Sequence, residues 1–379
     1  MNKRHGVWIG TSLVVVIAAA VGLRLLSKPP HSAVVAPEIG QDELAATLAA
    51  LKPPKRHRPV IAVIGINDAT ETTDYLMPTG ILRRADVADV MLVATGPGPV
   101  KLYPALTVEP DTTVADFDSR HPEGADFVIV PAMIRDDDPA AVRWIKDQSA
   151  KGATIIGVCY GVKVVAEAGL LDHRRGTTHW YALKELRKKH PSMEYVPNRR
   201  IVANQGVVTT TGITASIPMS LTLIEAIAGR EKAETVAKEV GLDNWDARHA
   251  SDAFRLTLPF ALTVMGNRAA LWNREQLGVE VSPGIDEVSL ALAADAWSRT
   301  YRSRAVTFAA SSGPVATRSG IRILPDHLSA EVSRDNVVEA YGNRPPAQAL
   351  DQTLSNIETR YGARTRYIVA MQLEYPRLN

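Results

Sequence analysis

The stretch that decides the fold runs from Ile155 to Trp180 and reads IIGVCYGVKVVAEAGLLDHRRGTTHW. The short apolar run Ala153 to Val158 is typical of a strand buried on both faces, and a helical pattern begins directly after Cys159. Gly157 and Gly161 flank the cysteine at the spacing of a nucleophile elbow, a sharp strand-to-helix turn that tolerates little bulk. A thiol at a helix N-terminus is expected to favour its reactive thiolate. The alternative is an inert, buried cysteine.

The sequence after the elbow extends this pattern. Ala168-Gly169-Leu170-Leu171 follows first, and Thr178-His179-Trp180 follows next. Together with the elbow, these motifs resemble the ThiJ/PfpI (DJ-1) family of the class I glutamine amidotransferase-like superfamily over about Pro59 to Gly241. The chain is most similar to the amidotransferase-like domains that precede the DNA-binding half of AraC-type regulators. The resemblance implies an α/β fold, a flavodoxin-like three-layer sandwich with a mostly parallel sheet and a nucleophile elbow.

Three apolar runs predict parallel strands, namely Val60 to Ile66, Phe127 to Val130, and Ala153 to Val158. Each run is followed by a helical pattern, which is typical of an open α/β sheet with helices on both faces. In such sheets the functional site lies beyond the carboxyl ends of the strands. We therefore expect the functional residues directly after these runs.

An acidic residue is expected after the first run. Asp74 stands four residues before Pro78. In the family that the chain resembles, an acid at this place hydrogen-bonds the nucleophilic cysteine, so the resemblance assigns this role to Asp74. Asp68 and Glu71 are the competing acids, and a carboxylate favoured by the helix dipole is the structural alternative.

The remaining candidate residues follow the second and third runs. Ala132 takes the place where the family supplies a backbone N–H to an oxyanion site, and Tyr160 and Gly161 are expected to line the same pocket. His179 is the only histidine in a family motif. It is either a proton carrier for the thiol, catalytic with Cys159 and Asp74, or a structural residue that holds its loop.

Two departures from the family pattern limit which of the family's activities can be expected of this chain. Tyr160 stands where PfpI-type peptidases carry a histidine, which argues against peptidase activity. Ile217 and Pro218 replace the small residue and Asp found in isonitrile hydratase-like members, which leaves the hydratase assignment open.

The acidic run 136–138 precedes Pro139 and a helical pattern, so it indicates a helix cap rather than a metal site. We expect neither a metal nor a cofactor.

The N-terminus predicts a membrane anchor. Lys3 and Arg4 precede the nearly charge-free run Val7 to Leu23, which approaches the roughly 20 residues that a membrane helix needs. We expect residues 1–27 to be a single-pass anchor with a cytoplasmic N-terminus and the globular part on the periplasmic or extracellular side. A cleaved signal peptide is the alternative. Residues 28–58 predict a basic, proline-rich linker.

The composition of the 379 residues sets few further limits. The formal net charge of +2 indicates no polyanionic partner. A single cysteine excludes an intramolecular disulfide. No helix-turn-helix motif follows Gly241, so we expect no nucleic-acid partner and disfavour a DNA-binding regulator.

Residues 242–379 contain a partial repeat of the first domain, residues 59–241. Gly98-Pro99-Val100 and Pro110-Asp111 recur as Gly313-Pro314-Val315 and Pro325-Asp326, both at an offset of 215 residues. A chance match is the alternative. We expect a C-terminal α/β half-repeat with a strand near Leu258 to Met265, a helix near Glu287 to Thr300, and a last strand at Tyr367 to Leu373.

The half-repeat lacks a second cysteine, so we expect it to stabilise the first domain without taking part in its chemistry. The chain would then form an intrachain pseudo-dimer, and a homodimer is the alternative. The combined expectation is a membrane-anchored protein whose Cys159 adds to a small electrophilic substrate, as in a cysteine-dependent hydrolase, hydratase or lyase. The alternative is a non-catalytic redox or ligand-sensing domain.

Overall fold

The computed structural model describes residues 36–270, 272 and 274–375. Its α-helices are α1 (Gln41–Ala50), α2 (Thr72–Ala85), α3 (Val114–Arg120), α4 (Pro139–Ala150), α5 (Gly161–Glu167), α6 (Leu183–Lys189), α7 (Ser216–Ala228), α8 (Arg230–Val240), α9 (Leu258–Ala269), α10 (Glu287–Ser298), α11 (Pro346–Tyr361) and α12 (Ala363–Leu373). Its strands are β1 (Val60–Gly65), β2 (Asp68–Glu71), β3 (Asp89–Ala94), β4 (Val100–Tyr103), β5 (Thr107–Glu109), β6 (Thr112–Thr113), β7 (Phe127–Val130), β8 (Thr154–Gly157), β9 (Arg175–Gly176), β10 (Glu194–Tyr195), β11 (Ile201–Asn204), β12 (Val207–Thr210), β13 (Glu275–Glu280), β14 (Ser303–Ala309), β15 (Val315–Ala316), β16 (Arg322–Leu324), β17 (His327–Leu328) and β18 (Val337–Val338).

The main sheet has the strand order β11-β12-β8-β7-β1-β3-β6, and only the β11–β12 pair is antiparallel. Every residue of β1, β7 and β8 is buried. Helices cover both faces, so these central strands read as continuous apolar runs. The predicted strands are confirmed, and so is the flavodoxin-like α/β fold with a mostly parallel sheet.

The two faces of the sheet carry separate cores. Along β1, Ile61 and Val63 point into the core that contains α2 and α7, whereas Ala62 and Ile64 point into the core that contains α4 and α5. This alternation is the two-residue period of a strand. The first of these cores also includes Leu290 of α10, so the C-terminal part shares its interior with the first domain.

The strand order of the C-terminal part matches that of part of the main sheet. The sheet β18-β13-β14-β17 has the same parallel arrangement as β7-β1-β3-β6 of the main sheet. A side-chain bond is repeated as well. The Asp111 carboxylate accepts from the N–H of Leu92 at 2.6 Å, and Asp326 accepts from the N–H of Thr307 at 2.7 Å. Both residues of the second bond stand 215 positions after those of the first.

The two copies face each other about a local two-fold axis. Strand β5 pairs with β16 in antiparallel register, with Val108 opposite its own repeat equivalent Ile323. Helix α2 likewise packs against its repeat equivalent α10. The half-repeat therefore meets the first domain through equivalent elements of both copies.

Two predicted strands of the half-repeat are wrong. Residues 258–265 belong to helix α9, in which the Thr257 side chain caps Phe260 and Pro259 occupies the first turn. Residues 367–373 belong to helix α12, which follows Gly362. Short apolar runs do not separate a strand from a helix by periodicity alone, and here capping and turn residues decide the outcome. The predicted helix near 287–300 is confirmed as α10.

The expected membrane anchor, residues 1–27, lies outside the described residues. No helix in the described part of the chain combines the length and the apolar character needed to span a membrane. In the linker, residues 41–50 form α1, and Lys55 and Arg56 bind the buried Asp126 through their backbone N–H groups at 3.1 and 3.0 Å. The last part of the linker is therefore attached to the first domain.

Candidate active site

Cys159 lies at the turn between β8 and α5, where its φ of 55° is in the left-handed region. A non-glycine residue in that region is strained and is held there only by its surroundings. A Cβ on Gly161 would overlap the Val130 carbonyl oxygen, and a Cβ on Gly157 would lie 3.0 Å from the Val165 side chain. The two glycines flank the cysteine because the chain passes here without room for side chains. This geometry is that of a nucleophile elbow.

Cys159 lines a cavity of about 430 Å³ and is itself only 3% exposed. The first domain contributes Ala69, Glu71, Tyr103, Ala132, Met133, Ile134, Tyr160, His179, Trp180, Tyr181 and Ile213. The C-terminal half-repeat contributes Phe260, Val264, Arg268, Arg299, Tyr301 and Gln372. The half-repeat therefore forms one wall of the cavity, and the expectation that it takes no part in the chemistry stays a prediction.

Two acids approach the cysteine, but only Glu71 lines the cavity. Its carboxylate accepts from the Asp74 N–H at 2.6 Å, from the Thr73 hydroxyl at 2.8 Å, and from Arg299 at 2.7 Å. Asp74 is fully buried and accepts from the N–H of Ala132 at 3.1 Å. Burial, followed by the charge of Glu71, raises the pKa of Asp74 well above its usual range, which favours the protonated form of this carboxyl.

His179 uses both ring nitrogens for structure. Its Nδ1 accepts from the N–H of Tyr181 at 3.1 Å, so Nε2 carries the proton and donates to the Gln372 carbonyl at 3.0 Å. Burial lowers the pKa of His179, which favours the neutral ring. Neither nitrogen is left for the thiol, and this arrangement supports the structural alternative for the histidine.

The predicted thiolate is not favoured in this environment. Burial raises the pKa of the Cys159 thiol, and the nearby Asp74 and Glu71 carboxyl groups raise it further. Arg299 acts in the opposite direction. The dipole of the short helix α5 is outweighed by the loss of water around the sulfur and by the neighbouring acids.

The predicted oxyanion donors are already engaged. The N–H of Ala132 donates to Asp74 at 3.1 Å, and the N–H of Gly161 donates to the Val158 carbonyl at 2.7 Å. The N–H of Cys159 donates to the Thr210 hydroxyl at 3.3 Å. Ala132 and Tyr160 line the cavity, whereas Gly161 is not part of the lining.

Arg299 is a residue of the site that the sequence reasoning missed. It lies directly after α10, and its guanidinium bridges Glu71 at 2.7 Å and Asp295 at 2.5 Å. Burial raises the pKa of Asp295 to about 7. The two-fold axis generates a matching pair, in which Arg84 binds Asp286 at 2.6 Å. The 215-residue offset relates Arg299 to Arg84 and Asp286 to Glu71, so the repeat was the signal that could have identified this ion pair.

The end of the half-repeat also fixes the loop that carries His179. The buried Glu374 accepts from the N–H groups of Trp180 at 2.8 Å and Gly212 at 2.7 Å. The Met371 carbonyl accepts from the Trp180 indole at 2.9 Å. No feature of the sequence around residue 374 indicated this role, since the expected strand there is in fact the end of α12.

The chain is similar to several known proteins. Residues 60–226 match the model of the DJ-1/PfpI family. An isonitrile hydratase of Pseudomonas putida is 32% identical over 168 residues, which are 43% of this chain and 70% of the relative. The HTH-type transcriptional regulator CdhR of Pseudomonas aeruginosa is 29% identical over 186 residues, 48% of this chain, and the match spans only 52% of the regulator's length. The crystal structure of Drosophila melanogaster DJ-1beta covers 49% of this chain and 100% of its own, with 21% identity and a TM-score of 0.44.

Proposed function

The chain belongs to the DJ-1/PfpI family, and from this premise we propose that it is a cysteine-dependent enzyme that acts on a small electrophilic substrate. The observation that carries the proposal is the position of Cys159, on an elbow with a φ of 55° and at the wall of a 430 Å³ cavity. A cavity of this size suits a small molecule. In cysteine-dependent hydrolases, hydratases and lyases, a covalent intermediate is formed by such an addition of sulfur to carbon.

The chemistry follows from the groups around the sulfur. Sγ forms a bond to the electrophilic carbon, and the thiol proton passes through the Glu71 carboxylate to the substrate. In a hydration, water then adds to that carbon, the carbon–sulfur bond breaks, and the sulfur recovers a proton from the water. In a hydrolysis, the bond from the carbon to the leaving group breaks first, the leaving group departs with the proton, and water then cleaves the carbon–sulfur bond in the same way. Glu71 suits this role better than Asp74, because Glu71 lines the cavity whereas Asp74 is fully buried and does not line it.

A second candidate function is a sensor that binds a ligand without turnover. The raised pKa of Cys159 and the engagement of both nitrogens of His179 favour it, since both reduce the supply of thiolate. One relative is a transcriptional regulator and another an isonitrile hydratase. The relatives therefore support both candidates.

The experiment that separates the two functions is substrate profiling with the full chain. Carbonyl, amide and isonitrile compounds are supplied to the wild type, to Cys159→Ser, and to the control Glu185→Gln, whose carboxylate pairs with Lys163 at 3.0 Å. We expect turnover that Cys159→Ser abolishes and Glu185→Gln retains, with an adduct of the substrate mass in the intact protein. Ligand binding without turnover or adduct would favour the sensor, and turnover that survives Cys159→Ser would contradict both roles of the cysteine.

We also propose that residues 1–27 anchor the protein in a membrane with the globular part on the outer side. The charge-free run 7–23 after two basic residues supports this proposal. Carbonate extraction of membranes tests it. We expect the full-length chain in the pellet, whereas a mature N-terminus beyond residue 33 would indicate a cleaved signal peptide.

A further inference from the structure

A second cavity, of about 710 Å³, opens beside the cysteine cavity and carries an excess of positive charge. We call it the basic groove and define it by its four cationic side chains, Lys101, Arg268, Arg274 and Arg304. Lys101 comes from β4 of the first domain, and the other three come from the half-repeat. The groove therefore exists only when the two parts of the chain are packed together.

The charges of the basic groove are largely uncompensated. Within the described ranges, none of its four cations has a carboxylate partner within ion-pair distance, and all four are exposed. Of the two acids in the lining, Glu275 is committed to Arg360 at 3.0 Å, and only Asp68 faces the groove without an ion pair. Four cations around one uncommitted carboxylate leave a concave surface that attracts anions.

The basic groove adjoins the cysteine cavity. Ala69, Tyr103, Arg268 and Tyr301 line both spaces. The Arg268 guanidinium lies 4.5 Å from the centroid of the Tyr301 ring, a cation–π contact that holds it at the junction. A ligand in the groove therefore lies next to the cavity that Cys159 lines.

From these observations we propose that the basic groove binds the phosphate group of a phosphorylated small molecule whose electrophilic carbon lies in the cysteine cavity. Several cations, most of them arginines with forked donors, match a doubly charged group with three acceptor oxygens better than a single carboxylate. The part of the proposal that concerns the electrophilic carbon rests on the proposed function of Cys159. The binding of phosphate in the groove does not.

The test uses the full chain with pyrophosphate and inorganic phosphate as probes, and with citrate and chloride at matched ionic strength. Binding is followed by the shift in melting temperature and by protection of Cys159 from labelling. We expect pyrophosphate to stabilise the wild type and to slow labelling, with inorganic phosphate acting in the same direction but more weakly. Stabilisation by citrate alone, or an equal effect of chloride, would overturn the assignment to phosphate.

Variants locate the binding. Arg304→Gln and Lys101→Gln remove charges from the groove only, and we expect each to weaken pyrophosphate binding at least tenfold. Arg143→Gln makes the same charge change at an exposed position of α4, a helix that contributes no residue to the groove. This variant should bind pyrophosphate as the wild type does. Equal loss in all three variants, or no loss in any, would contradict the proposal.

A further comparison separates this proposal from the proposed function. Iodoacetate and iodoacetamide differ by one negative charge, so the ratio of their rates at Cys159 reports local charge without any turnover. We expect Arg268→Gln to lower the rate of iodoacetate more than that of iodoacetamide. Pyrophosphate binding without any enzymatic turnover would support phosphate binding in the basic groove and contradict the proposed enzymatic function. Turnover that pyrophosphate leaves unaffected would support the enzymatic function and contradict phosphate binding in the groove.

Discussion

At the scale of single residues, burial and the neighbouring charges, two of which belong to one ion pair, set the pKa of Cys159. Glu71 raises the pKa of the thiol and Arg299 lowers it, and the two are bound to each other at 2.7 Å. Burial adds the largest contribution to the raised pKa. The thiol is therefore held in its protonated form until a ligand or a substitution changes this balance.

We expect opposite shifts when either partner of this ion pair is neutralised. Glu71→Gln removes a negative charge and frees Arg299, so the labelling midpoint of Cys159 should move to lower pH. Arg299→Gln removes the stabilising cation, so the midpoint should move to higher pH. The measurement is the pH dependence of the rate of iodoacetamide labelling at Cys159, with an ordinary thiol, whose pKa is about 8.5, as the reference.

The control for this pair is Glu185→Gln, which neutralises an exposed acid on α6. Its labelling profile should match that of the wild type. Shifts of the same sign in Glu71→Gln and Arg299→Gln would show that the two substitutions act by disturbing the fold and not through charge.

The buried Asp74 predicts a pH dependence of stability. Its pKa is raised in the folded state from a usual value of 3.8. The folded protein therefore prefers the protonated acid, so the contribution of Asp74 is fully present below the unfolded pKa and is lost as the pH rises through the folded pKa. Asn cannot ionise, and its oxygen can still accept from the N–H of Ala132. We expect Asp74→Asn to gain stability relative to the wild type as the pH rises from 4 to 8.

The size of this gain measures the pKa of Asp74. Each unit of pKa elevation corresponds to about 1.4 kcal/mol in the free energy of unfolding. Urea unfolding of both proteins at several pH values gives the difference directly. Parallel curves for the two proteins across this range would mean that Asp74 titrates normally in the folded state.

At the scale of elements, the elbow is limited by steric space at Gly161. A Cβ there would overlap the Val130 carbonyl oxygen and lie 2.7 Å from backbone atoms of Pro131. Both obstacles are backbone atoms of the neighbouring strand end, which cannot rotate away. We expect Gly161→Ala to destabilise the protein by more than about 2 kcal/mol, or to prevent folding, and thermal or urea unfolding measures this.

Gly266 provides the matched control. It lies inside α9, and a Cβ at this position would meet no atom within 4 Å. Gly266→Ala should therefore stabilise the protein by about 0.5–1 kcal/mol through helix propensity. Equal effects of the two substitutions would contradict the steric explanation of the elbow.

The same scale shows how far the sequence predicts this structure. The strands around the elbow were predictable because β1, β7 and β8 are buried on both faces, which gives a continuous apolar run bounded by turns. Helix α9 was not, because it is apolar on two sides. Phe260 is buried, while Leu258, Leu262 and Met265 are exposed large hydrophobics. A run of residues that is apolar on all sides shows no helical period, so the pattern of residues 258–265 predicts a strand.

The site was predictable in part for a related reason. Cys159, Ala132, Tyr160 and His179 follow strand ends or a family motif, and the structure brings all four to one cavity. The position of Arg299 in the cavity wall was not predictable from the local sequence pattern, because it depends on long-range packing between the two copies of the fold. Arg299 reaches Glu71 across 228 residues of chain.

At the scale of the whole molecule, the half-repeat and the first domain are related by a local two-fold axis. Equivalent strands and helices of the two copies meet about one axis, and the ion pairs Glu71–Arg299 and Asp286–Arg84 are repeated across it. We propose that the chain is an intrachain pseudo-dimer in which only the first domain has a nucleophile. Because the two copies are parts of one chain, their sequences can differ. The second copy can therefore form a wall of the cavity without a nucleophile of its own, whereas an identical subunit would carry a second cysteine.

A close contact between α2 and α10 across this axis leads to a final prediction. Gly80 of α2 faces Glu287 of α10, and a Cβ on Gly80 would lie 2.5 Å from the Glu287 carboxylate oxygen and 2.7 Å from its Cγ. Glu287 is fully buried and also accepts from the N–H of Ser319 at 3.1 Å, so it has little freedom to move. We expect Gly80→Ala to push α10 away from α2 and to cost about 1–3 kcal/mol, in spite of the better helix propensity of alanine.

Displacing α10 should also change the site, because Arg299 follows directly after this helix. A weaker contact between Arg299 and Glu71 should raise the labelling midpoint of Cys159 in Gly80→Ala, whereas Gly266→Ala should leave it unchanged. Urea unfolding and pH-dependent labelling of the full chain measure the two effects together. A destabilised Gly80→Ala with an unchanged midpoint would mean that the half-repeat supports the fold of the first domain but does not set the charge balance at its cysteine.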